Sequence, residues 1–148
     1  MAFNIDTYVN ETNEFLKKVA RVTSLPEDKG HAYRLVSSFF HALRLRITPD
    51  ESMHFISQLP MFFKGVYVDG WKFSKQSDRP KTLTGFLDDV RENYGPSPHE
   101  DLMEDKKAAI LMRNIIGVLR IYLSAGELND VKKQLPQEIG VLFENIVV

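Results

Sequence analysis

The feature that most constrains the fold of this chain is an internal repeat. The tripeptide Gln58-Leu59-Pro60 recurs as Gln134-Leu135-Pro136, and the two copies align without a gap back to Ala32 over Ala108. The aligned pairs include Leu35 with Leu111, Leu43-Arg44 with Leu119-Arg120, Glu51 with Glu127, and the apolar residues Phe39, Phe40 and Ile47 with Ile115, Ile116 and Leu123. Further upstream, Phe15-Leu16 and Val19 match Phe86-Leu87 and Val90. A period of about 70 residues is too long for a common solenoid unit and indicates a duplicated four-helix element.

Apolar residues recur at steps of three and four along both copies, which predicts amphipathic helices and no strands. The clearest helix starts are Thr48-Pro49-Asp50-Glu51 and Ser124-Ala125-Gly126-Glu127. Each has the form of a capping box, in which the hydroxyl accepts from the third backbone N–H and the glutamate reaches back to the cap's own N–H. The expected fold is therefore all-α.

The domain organisation follows from the apolar faces. Each half alone would leave an apolar face in water, so we expect the halves to pack together around one core. Residues 1–148 are then a single domain of about eight helices, with an internal repeat over approximately 12–67 and 83–143. The chain is a duplicated helical bundle with two similar four-helix halves.

Together these motifs resemble a bacterial family known only as a domain of unknown function, number 2267. The segments that carry the resemblance are His41-Ala42-Leu43-Arg44, Gln58-Leu59-Pro60, Gly65-Val66-Tyr67, Gly70-Trp71, Leu123-Ser124-Ala125-Gly126-Glu127, Asp130-Val131 and Gln134-Leu135-Pro136. The match runs from roughly Phe15 to Phe143. It implies an all-helical bacterial protein and supplies no activity, cofactor or catalytic residue. Ala125 departs from the proline that the family usually has, whereas Pro49 in the first half keeps it.

Charge and cysteine content exclude several classes of protein. The formal net charge is −1, from 19 basic and 20 acidic side chains, so no basic excess favours nucleic acid as a partner. The chain has no cysteine, which removes disulfides, thiolate nucleophiles and cysteine-based zinc sites. No segment resembles a signal peptide, and no apolar run approaches the roughly 20 residues that span a bilayer. We expect a cytoplasmic protein that does not enter a membrane.

No catalytic or metal motif stands out. The four histidines, His31, His41, His54 and His99, lack the spacing of a zinc site, so we expect ordinary solvated histidines and neither a metal nor a haem. The phosphate-binding glycine loops and the Gly-x-Ser-x-Gly pattern are absent from the sequence. No cofactor is expected, although the absence of a motif does not exclude an enzyme.

Arg44 and Arg120 occupy the same position in the two halves. In a structural interpretation, each arginine meets the carbonyls at the end of its own helix or pairs with the glutamate of the next capping box. In a functional interpretation, Arg44, Arg46 and Lys64 form an anion site. Because the arginine is repeated, the structural interpretation is favoured.

The segment Tyr67 to Phe73 is the one feature without a counterpart in the second half, and it carries the only tryptophan. Aromatic residues on a loop often anchor an interface, but the ring of Trp71 can also fold back onto the core. If the protein has a partner surface, we expect it to involve Tyr67, Trp71, Lys72 and Phe73, with Arg44, Arg46 and Lys64 nearby.

The sequence therefore favours a binding or regulatory module without catalytic activity, with a protein partner or a second copy of the chain as the expected partner. The alternative is an enzyme, or a small-ligand-binding protein, with a pocket between the two halves. An enzyme predicts a concave pocket with converging titratable groups, whereas an interaction module predicts an exposed apolar patch.

Overall fold

Helix-capping residues set the bounds of the helices in the computed structural model, which describes residues 2–72 and 79–146. Asn4 caps the first helix, since its side chain accepts from the N–H of Asp6 at 3.0 Å. Thr82 caps the fifth in the same way, and Gly95, with φ of 138°, ends it. The α-helices are α1 Ile5–Ala20, α2 Lys29–Leu43, α3 Pro49–Ser57, α4 Met61–Val68, α5 Leu83–Tyr94, α6 Asp105–Leu119, α7 Ala125–Gln134 and α8 Gln137–Gly140. Two short 3-10 helices, Glu100–Leu102 and Val141–Phe143, complete the described secondary structure.

The all-α prediction is confirmed for the described residues. The periodicity of apolar residues predicts a second helix from about Glu27 to Arg46, whereas α2 spans Lys29–Leu43 in the structure. Asp28 accepts from the N–H of His31 and so begins the helix two residues later than predicted. In the described ranges, every helix is too short or too polar to cross a membrane.

Helices of the first half pack directly against helices of the second half. In the first half α1 packs on α2 and α4, but it also packs on α6, while α2 packs along α5 and α3 packs on α7. The buried apolar side chains of both halves form one continuous cluster. Its centre is aromatic: Phe40 contacts Phe39, Phe55, Phe63 and Tyr67 through its ring.

Both predicted helix starts carry the expected hydroxyl cap. The Thr48 hydroxyl accepts from the N–H of Glu51 at 3.1 Å, and the Ser124 hydroxyl accepts from the N–H of Glu127 at 3.0 Å. The reciprocal bonds of the capping boxes were predicted from Glu51 and Glu127, and that prediction is wrong. Each glutamate instead lies at the contact between α3 and α7, away from its own cap.

A glutamine from the other half replaces the glutamate in each box. The N–H of Thr48 donates to Oε1 of Gln134 at 2.9 Å, and the N–H of Ser124 donates to Oε1 of Gln58 at 2.8 Å. The first bond joins the end of α7 to the start of α3, and the second joins the end of α3 to the start of α7. Superposition of the two halves as whole units stays a prediction.

Candidate functional site

The two repeated arginines lie at equivalent positions but in different surroundings. Arg44 is the C-cap residue of α2, and Arg120 is the C-cap residue of α6, with similar backbone angles. The guanidinium of Arg44 donates to the carbonyls of Tyr67 and Asp69, both at 2.7 Å. These carbonyls belong to the end of α4. In these two bonds Arg44 therefore meets carbonyls at the end of α4, whereas the structural interpretation placed them at the end of its own helix.

An aromatic ring covers the Arg44 guanidinium. Its central carbon lies 5.9 Å from the ring centroid of Trp71, which also contacts the ring of Tyr67 at 5.7 Å. Trp71 is partly buried and packs against the core. Because desolvation disfavours the charged form, burial lowers the pKa of Arg44, although the nearby Tyr67 and Asp69 oppose that shift. The ring of Trp71 thus folds back onto the first half, as the core interpretation of the loop predicts.

Tyr67 and Lys72, two further residues of the predicted partner surface, differ in exposure. Tyr67 is fully buried, and its hydroxyl lies 2.6 Å from that of Ser52. Lys72 is exposed, and Phe73 lies outside the described residues. Contact of this segment with a partner stays a prediction. Among its described residues, Lys72 is exposed to solvent.

The predicted basic residues next to the loop make contacts within the chain. The Lys64 ammonium donates to the carbonyls at the end of α3, at 3.1 and 2.8 Å. The Arg46 guanidinium lies 2.8 Å from a carboxylate oxygen of Asp89. Arg44, Arg46 and Lys64 thus each serve a different internal contact and do not converge on one anion site.

Arg120 lines an open pocket. The pocket has a volume of about 390 Å³, and the residues around it are Arg120, Ala125, Leu128, Asn129, Lys132, Phe143, Glu144, Asn145 and Ile146. In the part of the chain that the structure describes, the Arg120 guanidinium makes no hydrogen bond or ion pair. At the rim, the Lys132 ammonium lies 3.3 Å from a carboxylate oxygen of Glu144.

The sequence shows that the tryptophan of the first half is not repeated in the second. In the register of the repeat, Tyr67 aligns with Phe143, Asp69 with Asn145 and Trp71 with Val147. Val147 lies outside the described residues, and its side chain has no aromatic ring. The second half therefore has the arginine of the repeat but no counterpart of the tryptophan.

An exposed apolar patch lies at the start of α1. It comprises Phe3, Ile5, Val9, Met61 and Phe62, all at least 49% exposed, which line a groove of about 560 Å³ between α1 and α4. Scattered exposed apolar residues are ordinary, but a contiguous group around a groove is typical of an interaction surface. The sequence analysis did not indicate this patch, because neither the repeat nor the predicted helix starts distinguish the exposed residues in the first two turns of α1.

A family of known proteins matches most of the chain. The family model described as an uncharacterized conserved protein (DUF2267) matches residues 12–142. The apolar residues of α1 up to Val9 lie before that range, whereas both arginines lie within it. No curated protein matches the chain.

Proposed function

The chain belongs to the DUF2267 family, whose description names no activity, and from its geometry we propose that it is a binding module for a small organic anion. The observation that carries this proposal is the Arg120 guanidinium, which lines a pocket of about 390 Å³ and has no partner among the described residues. A pocket of this size is within the range of small-molecule sites. Arginine is well suited to it, since its planar fork of donors matches carboxylate and phosphate oxygens.

The first half serves as an internal template for the ligand. There the equivalent guanidinium of Arg44 is satisfied by two carbonyl oxygens and covered by the ring of Trp71. A ligand that supplied both features to Arg120 would carry a carboxylate or phosphate group next to a planar ring. Phe143 and Leu128 give the pocket an apolar wall for the ring, and Asn129 gives it a further polar group.

The lining supports binding more than catalysis. Its titratable side chains are Arg120, Lys132 and Glu144, and the last two are paired with each other. Among the described lining residues there is no serine, threonine or histidine to act as a nucleophile or base. A cytoplasmic location is part of this proposal, supported by the absence of cysteine from the sequence.

Calorimetric titration of the full chain tests the proposal, with benzoate and inorganic phosphate as the probes. We expect benzoate to bind and Arg120→Met to weaken that binding at least tenfold. Lys133→Met is the matched control, because it removes one positive charge from an exposed position of α7 outside the pocket lining. Tighter binding of benzoate than of phosphate supports the aromatic anion. Equal binding to the wild type and Arg120→Met, or no binding of either probe, contradicts the proposal.

A second candidate function is self-association through the patch of Phe3, Ile5, Val9, Met61 and Phe62. The occupant that the charges favour is a second copy, since α1 has Asp6 in its first turn and Lys17 and Lys18 in its last. Antiparallel contact of two α1 helices would place opposite charges near each other while it buried the patch. Light scattering on Ile5→Glu, with Ile110→Glu as an exposed control, tests this candidate. A wild type that is monomeric at high concentration removes it.

A further inference from the structure

Two glutamates meet where the halves join. Glu51 of α3 and Glu127 of α7 are 8% and 6% exposed, although acidic side chains are seldom fully buried without a partner. Their positions follow from the glutamine exchange described above. Because Gln134 and Gln58 occupy the N–H groups of the caps, the carboxylates are displaced from those N–H groups toward the contact between α3 and α7.

The carboxylates are incompletely satisfied. Oε2 of Glu51 and Oε2 of Glu127 are both buried and have no hydrogen-bond partner among the described residues. Oε1 of Glu51 accepts a long bond of 3.4 Å from Nε2 of Gln134. Burial, with the carboxyl of Glu51 beside it and Asp130 nearby, raises the pKa of Glu127. Two buried carboxylates in contact need a proton or a cation between them.

A histidine supplies a third ligand atom of a different kind. His54 lies one turn after Glu51, and its Nδ1 is 3.9 Å from Oε2 of Glu51. One ligand atom from each of Glu51, His54 and Glu127 lies within 4.8 Å of the other two. Two ligands of one zinc ion are about 3.4 Å apart when each is about 2.1 Å from the ion, so small rotamer changes bring the three into range. The side chain of His54 is 71% exposed, which gives an ion a route from solvent.

A second group of possible ligands, His31, His99 and Asp101, is already satisfied. His31 is fully buried, contrary to the solvated histidine that the sequence predicted. Its Nδ1 lies 2.8 Å from the Tyr94 hydroxyl and its Nε2 lies 2.9 Å from Oδ2 of Asp101. The same Asp101 oxygen also accepts from the N–H of Ser24. Burial alone would raise the pKa of Asp101, but the bonds from His31 and Ser24 lower it overall. This group holds α2 to the α5–α6 connection through its own hydrogen bonds.

We propose that Glu51, His54 and Glu127 bind a divalent transition-metal ion at the contact between α3 and α7. Two carboxylates and one imidazole form a mixed oxygen and nitrogen set, which suits Zn²⁺ or Mn²⁺ better than the all-oxygen sites of Ca²⁺ and Mg²⁺. Because the ligands come from both halves, the ion would hold α3 against α7. Gln134 would orient Glu51 from the second coordination shell. This site is separate from the Arg120 pocket and does not depend on it.

Titration of Zn²⁺ into the full chain, after dialysis against a chelator, tests the site, with Mg²⁺ as the comparison ion. We expect one Zn²⁺ per chain, weaker binding of Mg²⁺, and a higher melting temperature with Zn²⁺. Glu127→Gln should weaken Zn²⁺ binding by about 100-fold or more, because it removes a ligand but keeps the shape of the side chain. Circular dichroism checks that this variant folds, and His54→Ala, at a largely exposed position, gives an independent test of the same site.

The controls separate this site from the other candidates in the molecule. His99→Ala removes a possible ligand of the second group, and Arg120→Met disrupts the proposed anion pocket, so both should bind Zn²⁺ as the wild type does. Loss of Zn²⁺ binding in His99→Ala with retention in Glu127→Gln assigns the ion to the second group and overturns the proposal. A wild type that binds no Zn²⁺ overturns it as well, since a proton alone then joins the two carboxylates.

Discussion

The two halves of the repeat place the same arginine at the end of the same helix and surround it differently. In the first half the chain supplies two carbonyl oxygens and an aromatic ring to Arg44. In the second half Arg120 lines a pocket, and the described residues supply no partner to its guanidinium. At equivalent positions of the sequence repeat, the same arginine is thus satisfied by the chain in one half and open to a ligand in the other, among the described residues.

The contacts that each half makes with the other at α3 and α7 are more alike than the surroundings of the two arginines. Each half gives one glutamine to the helix start of the other, and each gives one glutamate to the contact of α3 with α7. The glutamine and glutamate contacts are thus equivalent in the two halves, whereas the surroundings of Arg44 and Arg120 differ.

Replacement of the two arginines should affect stability very unequally. Arg44→Met leaves the buried carbonyl of Tyr67 without its charged donor and should lower the free energy of unfolding by about 2 to 3 kcal/mol. Arg120→Met removes no hydrogen bond seen in the structure and should change that energy by less than about 0.5 kcal/mol. Urea denaturation of both variants measures the difference. Equal losses would mean that Arg120 has a structural role like that of Arg44.

Trp71→Ala should lower the free energy of unfolding by about 2 kcal/mol, less than the loss from a fully buried tryptophan because Trp71 is only partly buried. Lys72→Ala, at the exposed neighbouring residue, is the control and should leave the denaturation midpoint unchanged. If Trp71→Ala also leaves it unchanged, the ring does not stabilise the core. Such a result would favour the segment Tyr67 to Phe73 as a partner surface.

Most of the fold could be predicted from the sequence because it depends on local signals. The caps Asn4, Thr48, Thr82 and Ser124 are short polar residues directly before periodic apolar segments. Each accepts from a nearby N–H, which is the bond predicted for Thr48 and Ser124. Such bonds join residues two or three positions apart, so the pattern in the chain determines them. The predicted bounds of α2 were less accurate, since periodicity does not show which residue caps a helix.

The candidate sites could not be predicted because they depend on contacts between distant segments. Glu51 was assigned to its own capping box, yet the N–H that it should bind is occupied by Gln134, which is far along the chain. The repeated Arg120 was visible in the sequence, but repetition favoured a shared structural role. The signal that could have indicated the pocket is the absence of an aromatic residue at the position aligned with Trp71.

The two hydroxyl caps give a smaller and more symmetric test. Thr48→Ala and Ser124→Ala should each lower the free energy of unfolding by about 1 kcal/mol, because each removes the acceptor of one N–H at a helix start. Chemical denaturation of both variants is the measurement. Similar losses fit equivalent helix starts, whereas a loss in only one variant would show that α3 and α7 are stabilised differently.

The smallest expected effect concerns the two exchanged glutamines. Gln58→Ala and Gln134→Ala each remove the acceptor of one exposed cap N–H, and water can replace that acceptor in part, so each should cost about 0.5 to 1 kcal/mol. Gln134→Ala should be the more costly of the two, since Gln134 also donates to Glu51. Gln137→Ala is the control, because that glutamine is exposed at the start of α8.

The double variant Gln58→Ala with Gln134→Ala determines whether the two bonds act together. If each glutamine only caps the helix that it touches, the losses should add to within about 0.5 kcal/mol. If the two glutamines together hold α3 against α7, either substitution alone should already loosen this contact. The second substitution should then lower the free energy of unfolding by less than it does in the wild type. A double-mutant cycle in urea, repeated with Zn²⁺, distinguishes these cases. An ion bound by Glu51, His54 and Glu127 would hold the same contact. With Zn²⁺ present, the free-energy losses of the two glutamine substitutions should therefore add even if they are coupled without it.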